Sequence, residues 1–467
     1  MWRCWVLLVV VGCTKPNPAV CCLDPDDCAS IGVSDPERTC AEGLACVNNA
    51  CVVPSCSTDG CSAQAPVCDI TLDVCTACTG PGDCDQFEAK VCDTETGACV
   101  GCVEASDCDV STPVCDALAC RECRLDSECP SGACGADGAC VLETDIVYVA
   151  PTGSDTGMCD RPNPCFQLQF ALSQTSATRS HIVMANGTYL YNDGGPTVLN
   201  VVAANTTAAK VNVHGGGSTV TFTQADGQAM FDLALPTEIT DLVLDYRPFG
   251  RAVVARAPVT LRRMTIGSET GIEARSSVDA QDVLVVANTG NVPSPITVLG
   301  GSLVLKRATV RGGGKAISAT AGSILELENV LVSDATETGI DLSQSGTTAS
   351  LSFVTIVQTG TTLTTGTAGL ICPNNNTPVR SSIIWTPTNT ARPAVSGCAL
   401  SSSIVGPVGA VGATNADPKF VDLAGGDYHL SDISPARDLV DTGPAIDFEG
   451  DPRPNGTRFD IGADETR

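Results

Sequence analysis

The side chains best suited to chemistry in this chain are its 28 cysteines, of which 24 lie in the first 140 residues. Three pairs have the spacing of zinc ligands: Cys75-Thr-Ala-Cys78, Cys99-Val-Gly-Cys102 and Cys120-Arg-Glu-Cys123. However, the cysteine-rich stretch contains no histidine, acids adjoin its thiols, and so many cysteines are typical of a disulfide framework in an oxidising compartment. We therefore expect disulfides rather than metal.

These cysteines repeat. Once Cys4 and Cys13 are set aside, 22 remain up to Cys140, and most form four groups of four that begin at residues 56, 78, 102 and 123. The even number predicts eleven disulfides and leaves their connectivity open. The array resembles the cysteine-rich repeats near the N-termini of exported proteins from myxobacteria and related bacteria. That resemblance implies a stiff spacer or binding stalk without catalytic residues.

Four basic side chains are candidates for substrate binding: Arg262, Arg263, Lys306 and Arg307. A stripe of such cations would bind the carboxylates of a polyuronate. The alternative, which we prefer, is a solvated face on which they pair with acids such as Asp282. The chain has no Asn-Thr-Asp or Arg-Ile-Lys sequence of the kind that polygalacturonases carry.

Catalytic groups are not evident among the other side chains. Glycoside hydrolysis needs paired carboxylates, and lyase chemistry needs a base together with charge neutralisation. The three histidines, His181, His214 and His429, precede an early strand, precede a glycine-rich loop and lie in a C-terminal motif, respectively. Structural roles are expected for all three. We therefore predict no catalytic residue, no cofactor and no metal site.

The net charge of −27 is concentrated in residues 13–145, which hold 24 acidic and five basic side chains. Phosphate binding needs clustered Lys and Arg, so nucleic acid is excluded as a partner. A segment this acidic stays soluble and repels anionic polymers.

The first residues have the organisation of an export signal. Arg3 precedes an apolar run from Trp5 to Val11 that is too short to cross a bilayer. Val10-Val11-Gly12-Cys13 resembles the lipobox of bacterial lipoproteins, in which the cysteine is lipidated. The resemblance implies a leader over residues 1–12 and attachment to the outer membrane or cell surface through acyl chains on Cys13. An ordinary cleaved signal, with release from the cell, is the alternative.

Beyond the cysteine repeats, short apolar strands recur at intervals of 22, 19, 25, 22, 24 and 29 residues, which is the period of a solenoid. They are Leu242–Leu244, Met264–Ile266, Val283–Val285, Ala308–Val310, Val330–Val332, Val354–Ile356 and Ile383–Trp385. Several follow another strand after a two-residue bend, so each rung is predicted to be a strand, a bend, a strand and a loop. The residues before these strands would stack in a row whose first four charges alternate in sign: Asp241, Arg263, Asp282, Arg307, Asn329, Phe353 and Ser382.

The start of this region supports the same fold. Tyr148–Asp155, Pro164–Leu172 and Ile182–Tyr189 resemble the first segments of bacterial right-handed parallel β-helix proteins, in which a short amphipathic helix covers the open end of the stack. Here Phe166, Phe170 and Ala171 have the spacing to face the first rung.

Two cysteine pairs fit such a solenoid. Cys159 and Cys165 are expected to staple the cap. Cys372 and Cys398, which are 26 residues apart, are expected to join neighbouring rungs.

The C-terminal stretch is the most specific part of the sequence. Asp417–Asp422, Gly426–Leu430, Ser434–Ala436, Asp451–Pro454 and Asp460–Glu465 resemble the closing segment of "choice-of-anchor Q" and related bacterial surface β-helix proteins, although Asp464 replaces the usual tyrosine. Five acids there are candidate Ca²⁺ ligands, but we expect them to be hydrogen-bonded cap residues. They are Asp438, Asp441, Asp447, Asp451 and Asp460.

The sequence thus predicts an all-β chain: a leader (1–12), an acidic cysteine-rich stalk with little secondary structure (13–145) and a right-handed parallel β-helix (146–467). The preferred function is a non-catalytic cell-surface lipoprotein for adhesion or envelope organisation, with a polysaccharide or another surface protein as partner. A polysaccharide lyase or hydrolase is the alternative. A peptide- or metal-binding role for the cysteine repeats is the third hypothesis.

Overall fold

The computed structural model describes residues 45–47, 50–52, 56 and 60–466, except 73, 192–196, 224–228, 247–249, 288–292, 363–364 and 389–390. It divides the chain into two compact units. The first holds the described residues up to Arg124 together with Gly135–Cys140, and the second holds Leu125–Cys134 and Val141 onward. The predicted leader and Cys13 lie outside the described residues.

The first unit is a series of short antiparallel hairpins. In the described hairpins the central residue of each strand is a cysteine, and the two central cysteines are partners in the backbone register. The strands are β1 (Ala45–Val47), β2 (Ala50–Val52), β3 (Val67–Asp69), β4 (Val74–Thr76), β5 (Val91–Asp93), β6 (Ala98–Val100), β7 (Val114–Asp116) and β8 (Ala119–Arg121). Single turns of 3₁₀ helix at Pro81–Cys84 and Ala105–Asp107 precede the β5–β6 and β7–β8 hairpins, respectively.

Disulfides join the first cysteine of a repeat to the third and the second to the fourth. The pairs are Cys56–Cys68, Cys61–Cys75, Cys78–Cys92, Cys84–Cys99, Cys102–Cys115 and Cys108–Cys120. The cysteines of the fourth repeat are disulfide-bonded as well. Among the described residues, the side chains close enough to share a metal ion are four sets of these bonded cysteines. The expected disulfide framework is confirmed here.

The acid that precedes the second cysteine of a repeat caps its 3₁₀ turn. Asp83 Oδ2 accepts hydrogen bonds from the N–H groups of Thr79 and Gly80, at 2.7 and 3.1 Å. Asp107 Oδ2 accepts two equivalent bonds, at 2.8 and 2.9 Å. These backbone donors hold the pKa of both carboxyls below its ordinary value. The recurring acids are therefore turn caps.

The second unit is a parallel β-helix with two long sheets. The larger sheet has 15 strands, of which the longest run for ten or more residues. They are β9 (Ile146–Val149), β10 (His181–Met184), β11 (Thr188–Tyr191), β13 (Val211–Phe222), β15 (Thr237–Tyr246), β17 (Val259–Ser268), β19 (Ser277–Ala287), β21 (Ser302–Arg311), β23 (Ile324–Ser333), β25 (Thr348–Val357), β27 (Pro378–Arg380), β28 (Ile383–Trp385), β30 (Ala399–Ser401), β31 (Ser403–Gly406) and β32 (Ala413–Thr414).

The smaller sheet has nine strands. They are β12 (Leu199–Val201), β14 (Ala229–Leu233), β16 (Arg251–Ala255), β18 (Thr270–Ala274), β20 (Ile296–Val298), β22 (Lys315–Ala319), β24 (Thr338–Asp341), β26 (Leu370–Ile371) and β29 (Val395–Ser396). From β12 to β26 the chain alternates between the two sheets, so each rung contributes one strand to each.

The inward rows are in register. Met264 pairs with Val283, Val283 with Ala308, and Ala308 with Val330. Leu242 begins the same row, and all five side chains are at most 3% exposed. One hydrophobic cluster runs from Val147 to Val405 through the stack. The predicted solenoid is therefore confirmed.

Six of the long strands, β15, β17, β19, β21, β23 and β25, each bend at one residue in the left-handed region. The φ angles are 53° at Asp241, 53° at Arg263, 56° at Asp282, 47° at Arg307, 53° at Asn329 and 53° at Phe353. The predicted two-residue bend is thus a single residue within a continuous strand. In the next rung the bend is Ser381 rather than Ser382, because β28 begins with Ile383, which pairs with the outward-facing Thr355.

A short helix, α1 (Leu168–Ser173), packs against the first rungs. Its buried side chains are Leu168, Ala171 and Leu172, at positions i, i+3 and i+4. The prediction of a helix with Ala171 inside is right. Phe166 lies before the helix, and it and Phe170 are only partly buried at the edge of the core. The leucines, not the phenylalanines, therefore form most of the contact.

The two isolated cysteine pairs are bonded in this unit. Cys159–Cys165 lies beside α1 within the core cluster, and Cys372–Cys398 joins neighbouring rungs with Cα atoms 5.2 Å apart.

The closing segment, residues 417–466, covers one end of the outer face of the 15-stranded sheet. It contains the antiparallel strands β33 (Phe420–Asp422) and β34 (Asp427–Leu430). Leu430, Ala436 and Ile461 pack on outward-facing side chains of β28 and β31, and Tyr428 packs on those of β23 and β25. In the described part of the chain, no helix is long and apolar enough to cross a membrane.

Candidate functional site

The four candidate basic side chains lie on the outer face of the 15-stranded sheet. Arg262 and Arg263 are in β17, and Lys306 and Arg307 are in β21, with β19 between them. Arg263 and Arg307 occupy the bend, and Arg262 and Lys306 come immediately before it. The bend interrupts the alternation of the strand, so that Arg262 and Arg263 both lie outside the core between the buried Leu261 and Met264.

Each of these cations is paired with a carboxylate of an adjacent rung. Arg263 makes a bidentate pair with Asp241, at 2.6 and 2.7 Å, and Arg307 makes one with Asp282, at 2.6 and 2.8 Å. The hydrogen bonds that Arg263 donates to Asp241 raise the pKa of Arg263. The bend residues therefore form two bonded pairs, and Asp282 attracts Arg263 only at longer range.

The residues before the bends are paired as well. Arg262 donates to both carboxylate oxygens of Asp279, at 3.0 and 2.7 Å. Lys306 Nζ lies 3.4 Å from Glu326 Oε1. An anionic polymer would have to displace these carboxylates to reach the cations.

The outer side of the nine-stranded sheet also carries cation–carboxylate pairs. Arg256 is bidentate to Asp232, and Lys315 Nζ is 2.6 Å from Asp341 Oδ2. Glu273 pairs with both Arg275 and Arg251. Both sheets therefore carry cations paired with carboxylates on their outer sides.

A buried hydrogen-bonded chain lies at the other end of the β-helix. Asp126 Oδ1 is 2.8 Å from His214 Nδ1, and His214 Nε2 is 2.9 Å from His181 Nδ1. Thr240 Oγ1 donates to Asp126 Oδ2 at 2.6 Å, and the N–H of Cys134 donates to Oδ1 at 2.9 Å. Asp126 and His214 are 5% and 4% exposed, so the group is a structural network rather than an open active site.

The titration of this network follows from its contacts. Burial acts to raise the pKa of Asp126, but the hydrogen bond and charge of His214 outweigh it and lower the pKa to about 2. Burial, with the nearby His214 and Lys210, lowers the pKa of His181 to about 4. Asp126 is therefore charged and His181 neutral at physiological pH.

A pocket of about 400 Å³ adjoins Asp126. Its walls are mostly apolar and include Leu125, Val183 and Met184, with Gly216 and Gly217 at a bulge in β13. The carboxylate oxygens of Asp126 already accept three hydrogen bonds. No set of groups for acid–base catalysis converges there among the residues that line it.

A second pocket, of about 440 Å³, lies in the closing segment. His429 bridges Asp427 and Glu449, at 2.5 and 2.8 Å, and these hydrogen bonds overcome burial and raise the pKa of His429 to about 9. Burial raises the pKa of Asp464 to about 6, although the N–H of Leu430 donates to it at 2.6 Å. The pocket therefore carries a histidine cation among carboxylates.

Of the five candidate acids, Asp438, Asp447 and Asp460 cap backbone N–H groups of the closing segment, whereas the exposed Asp441 pairs with Arg458. Asp447 Oδ1 accepts the N–H groups of Glu449, Gly450 and Asp451, each at 2.9 Å. Asp438 Oδ1 accepts two further N–H groups, at 2.7 and 3.0 Å.

The same motif also contains a buried ion pair. Arg453 Nε lies 2.8 Å from Glu465 Oε2, and neither side chain is more than 2% exposed. The guanidinium also donates to Asn329 Oδ1 and lies over the Phe353 ring, both of which are bend residues of the sheet. Arg453 therefore attaches the closing segment to the bend residues of the sheet.

Sequence reasoning assigned structural roles to the histidines but did not identify Asp126 as their partner. The sequence did contain a signal. In the two preceding repeats the positions equivalent to Asp126 are occupied by Pro81 and Ala105, so an acid at this position departs from the repeat pattern. Its contact with Thr240 spans 114 positions, which no local pattern reveals.

The chain matches no protein-family model and no curated protein. Among solved structures, it is similar to the crystal structure of pectate lyase Pel9A, with a TM-score of 0.40 and 10% sequence identity. The alignment covers 69% of this chain and 96% of that one.

Proposed function

We propose that this chain is a non-catalytic cell-surface lipoprotein, of the kind found in myxobacteria and ending in a choice-of-anchor Q-type segment. Its β-helix serves adhesion or envelope organisation by binding a glycan or another surface protein. The observation that carries the proposal is the neutralised outer face: Arg262, Arg263, Lys306 and Arg307 are each held by a carboxylate. Lyase chemistry needs neutralisation of the substrate's charge, which cations already held by carboxylates do not supply.

Two further features support this function. The dense disulfides of the repeats suit an oxidising, extracytoplasmic compartment. The lipobox ending at Cys13 provides the membrane attachment, because several acyl chains on one residue hold a protein stably.

Lipidation is tested by expressing the full chain in a Gram-negative host with an alkyne-labelled fatty acid. We expect label on the wild type, none on Cys13→Ser, and accessibility of the wild type to protease added to intact cells. Label on Cys13→Ser would contradict lipidation at this residue.

The absence of catalysis is tested with polyuronates, by following the absorbance of unsaturated products. We expect no product from wild type, and specific retention on a glycan array or on envelope fractions. Product formation that is lost in Arg263→Met or Arg307→Met would overturn the proposal in favour of a polysaccharide lyase.

A further inference from the structure

Residues 125–134, here called the anchoring arm, pack on the first rungs of the β-helix. Ala133 is fully buried in a small cluster with Ile146, Tyr148 and Val183. Arg161 Nη2 donates to Pro130 O at 2.8 Å. The arm is therefore held by a modest apolar contact and a few hydrogen bonds, among which the network around Asp126 is a buried polar attachment.

We propose that Asp126, His214 and His181 form an acid-sensitive latch, in which a second proton on the imidazole pair releases the anchoring arm from the β-helix. The geometry carries this inference. Asp126 is in the arm, whereas His214 and Thr240 belong to β13 and β15. Breaking the His214–Asp126 bond would leave a buried carboxylate poorly paired.

The first proton on the pair is tolerated. Neutral His214 uses its Nδ1–H for Asp126 and its Nε2 to accept from His181. A protonated His214 donates at both nitrogens, and His181 accepts by taking its other tautomer. The arm stays bound in both states.

The second proton is not tolerated. With both rings protonated, the nitrogens that lie 2.9 Å apart each carry a hydrogen and neither has a lone pair to accept it. The two rings are also nearly parallel, with centroids 5.2 Å apart, so the like charges cannot avoid each other without movement. Separation of the rings removes His214 from Asp126.

The surrounding charges and burial set the pH at which the second proton binds. Lys210 opposes protonation of His181, while Asp145 and Glu238 favour it; burial is the dominant effect and lowers the pKa of His181 to about 4. Arg263 attracts Asp126 from a distance. Because the pKa of His181 is lower in the latched state than the ordinary 6.5, the latch is intact above about pH 6.5 and is lost progressively as the pH falls towards 4.

Hydrogen exchange of the full chain, corrected for the intrinsic effect of pH, tests the latch. The reporter is the amide of Cys134, which donates to Asp126. We expect its protection to fall on the order of 100-fold between pH 7 and pH 4, while the amides of β17 to β25 keep theirs.

His181→Gln sharpens the test, because glutamine can donate to neutral His214, accept from the protonated ring and carries no charge. This variant should keep its arm protected at pH 4, whereas the matched control His429→Gln should behave as wild type. The latch is overturned by arm protection that does not change with pH, by equal loss in wild type and His181→Gln, or by loss in the arm and rung strands together. Asp126→Ala, which removes the acceptor of all three hydrogen bonds, should expose the arm already at pH 7.

Discussion

The cysteine repeats and the β-helix are stabilised in different ways. In the repeat from Cys78 to Cys99, the buried cluster consists of the four bonded cysteines themselves, and each bridge closes a loop of 14 or 15 residues. In the β-helix, one apolar cluster extends from Val147 to Val405. A repeat is therefore stabilised mainly by its own disulfides, whereas a rung is stabilised by packing against the neighbouring rungs.

A large effect is expected when one disulfide of a cysteine repeat is removed. Cys84→Ser/Cys99→Ser removes a 15-residue bridge, worth about 3 kcal/mol, from a unit with little other core. We expect residues 78–101 to unfold locally while the β-helix keeps its melting transition. Limited proteolysis with mass spectrometry reads the first effect and circular dichroism the second.

The matched control is Cys159→Ser/Cys165→Ser in the β-helix, whose bridge spans only six residues and lies beside a large core. That variant should remain folded throughout. Cooperative loss of the β-helix when the Cys84–Cys99 bridge is removed would show that the two regions are not independent.

An effect of similar size is expected in the closing segment, which contains a buried ion pair. Arg453→Met leaves Glu465 charged and buried, so we expect a loss of about 3–5 kcal/mol in the free energy of unfolding. Arg458→Met removes an exposed partner of Asp441 and should cost less than about 1 kcal/mol. Urea unfolding compares the two; equal losses would mean that burial of the pair is unimportant.

The contrast between the regions also explains what the sequence could predict. Local repetition revealed both architectures: the cysteine period gave the disulfide framework, and the strand period gave the row from Leu242 to Val330. The bend position was found wherever an apolar inward residue follows it directly. It failed where the inward residue after the bend is Ser382, because the first apolar residue of that strand is the outward Ile383.

Contacts between distant segments were beyond such reasoning. The outward residues Leu331, Val357 and Trp385 are apolar because the closing segment covers them, but in sequence they resemble core positions. Asp126 and Thr240, and likewise Asn329 and Arg453, come together only when the stack has formed. The candidate basic side chains were correctly predicted to lie on one face. The carboxylates that pair with Arg262 and Arg263 could be identified only from the register of the strands.

A pH series should distinguish the two ends of the β-helix. The closing segment holds Asp464, whose pKa is about 6 when folded against an ordinary value near 4, so the folded state binds an extra proton between these values. The free energy of unfolding should therefore fall as the pH rises from 4 to 6, by about 1–3 kcal/mol. At the other end, the anchoring arm weakens in the opposite direction, as the pH falls.

Asp464→Asn checks this, because an amide oxygen still accepts the N–H of Leu430 without a charge. The variant should lose the slope between pH 4 and 6 and be more stable than wild type at pH 8. His429 adds a second slope of the same sign, since its stabilising charge is present below pH 6.5 and lost as the pH rises through about 9. An unchanged slope in Asp464→Asn would place the titration elsewhere.

The smallest expected effect is on the paired bend residues. Asp241→Asn removes the charge from the Arg263 pair but keeps a residue that the left-handed conformation accepts, so the cost should be about 0–1 kcal/mol. Arg263→Gly loses the same pair but relieves the backbone at φ 53°, and should be close to neutral. A double-mutant cycle of Asp241→Asn with Arg263→Met measures the pair itself. A coupling above about 2 kcal/mol would show that these surface pairs, and not the stacked core alone, hold adjacent rungs in register.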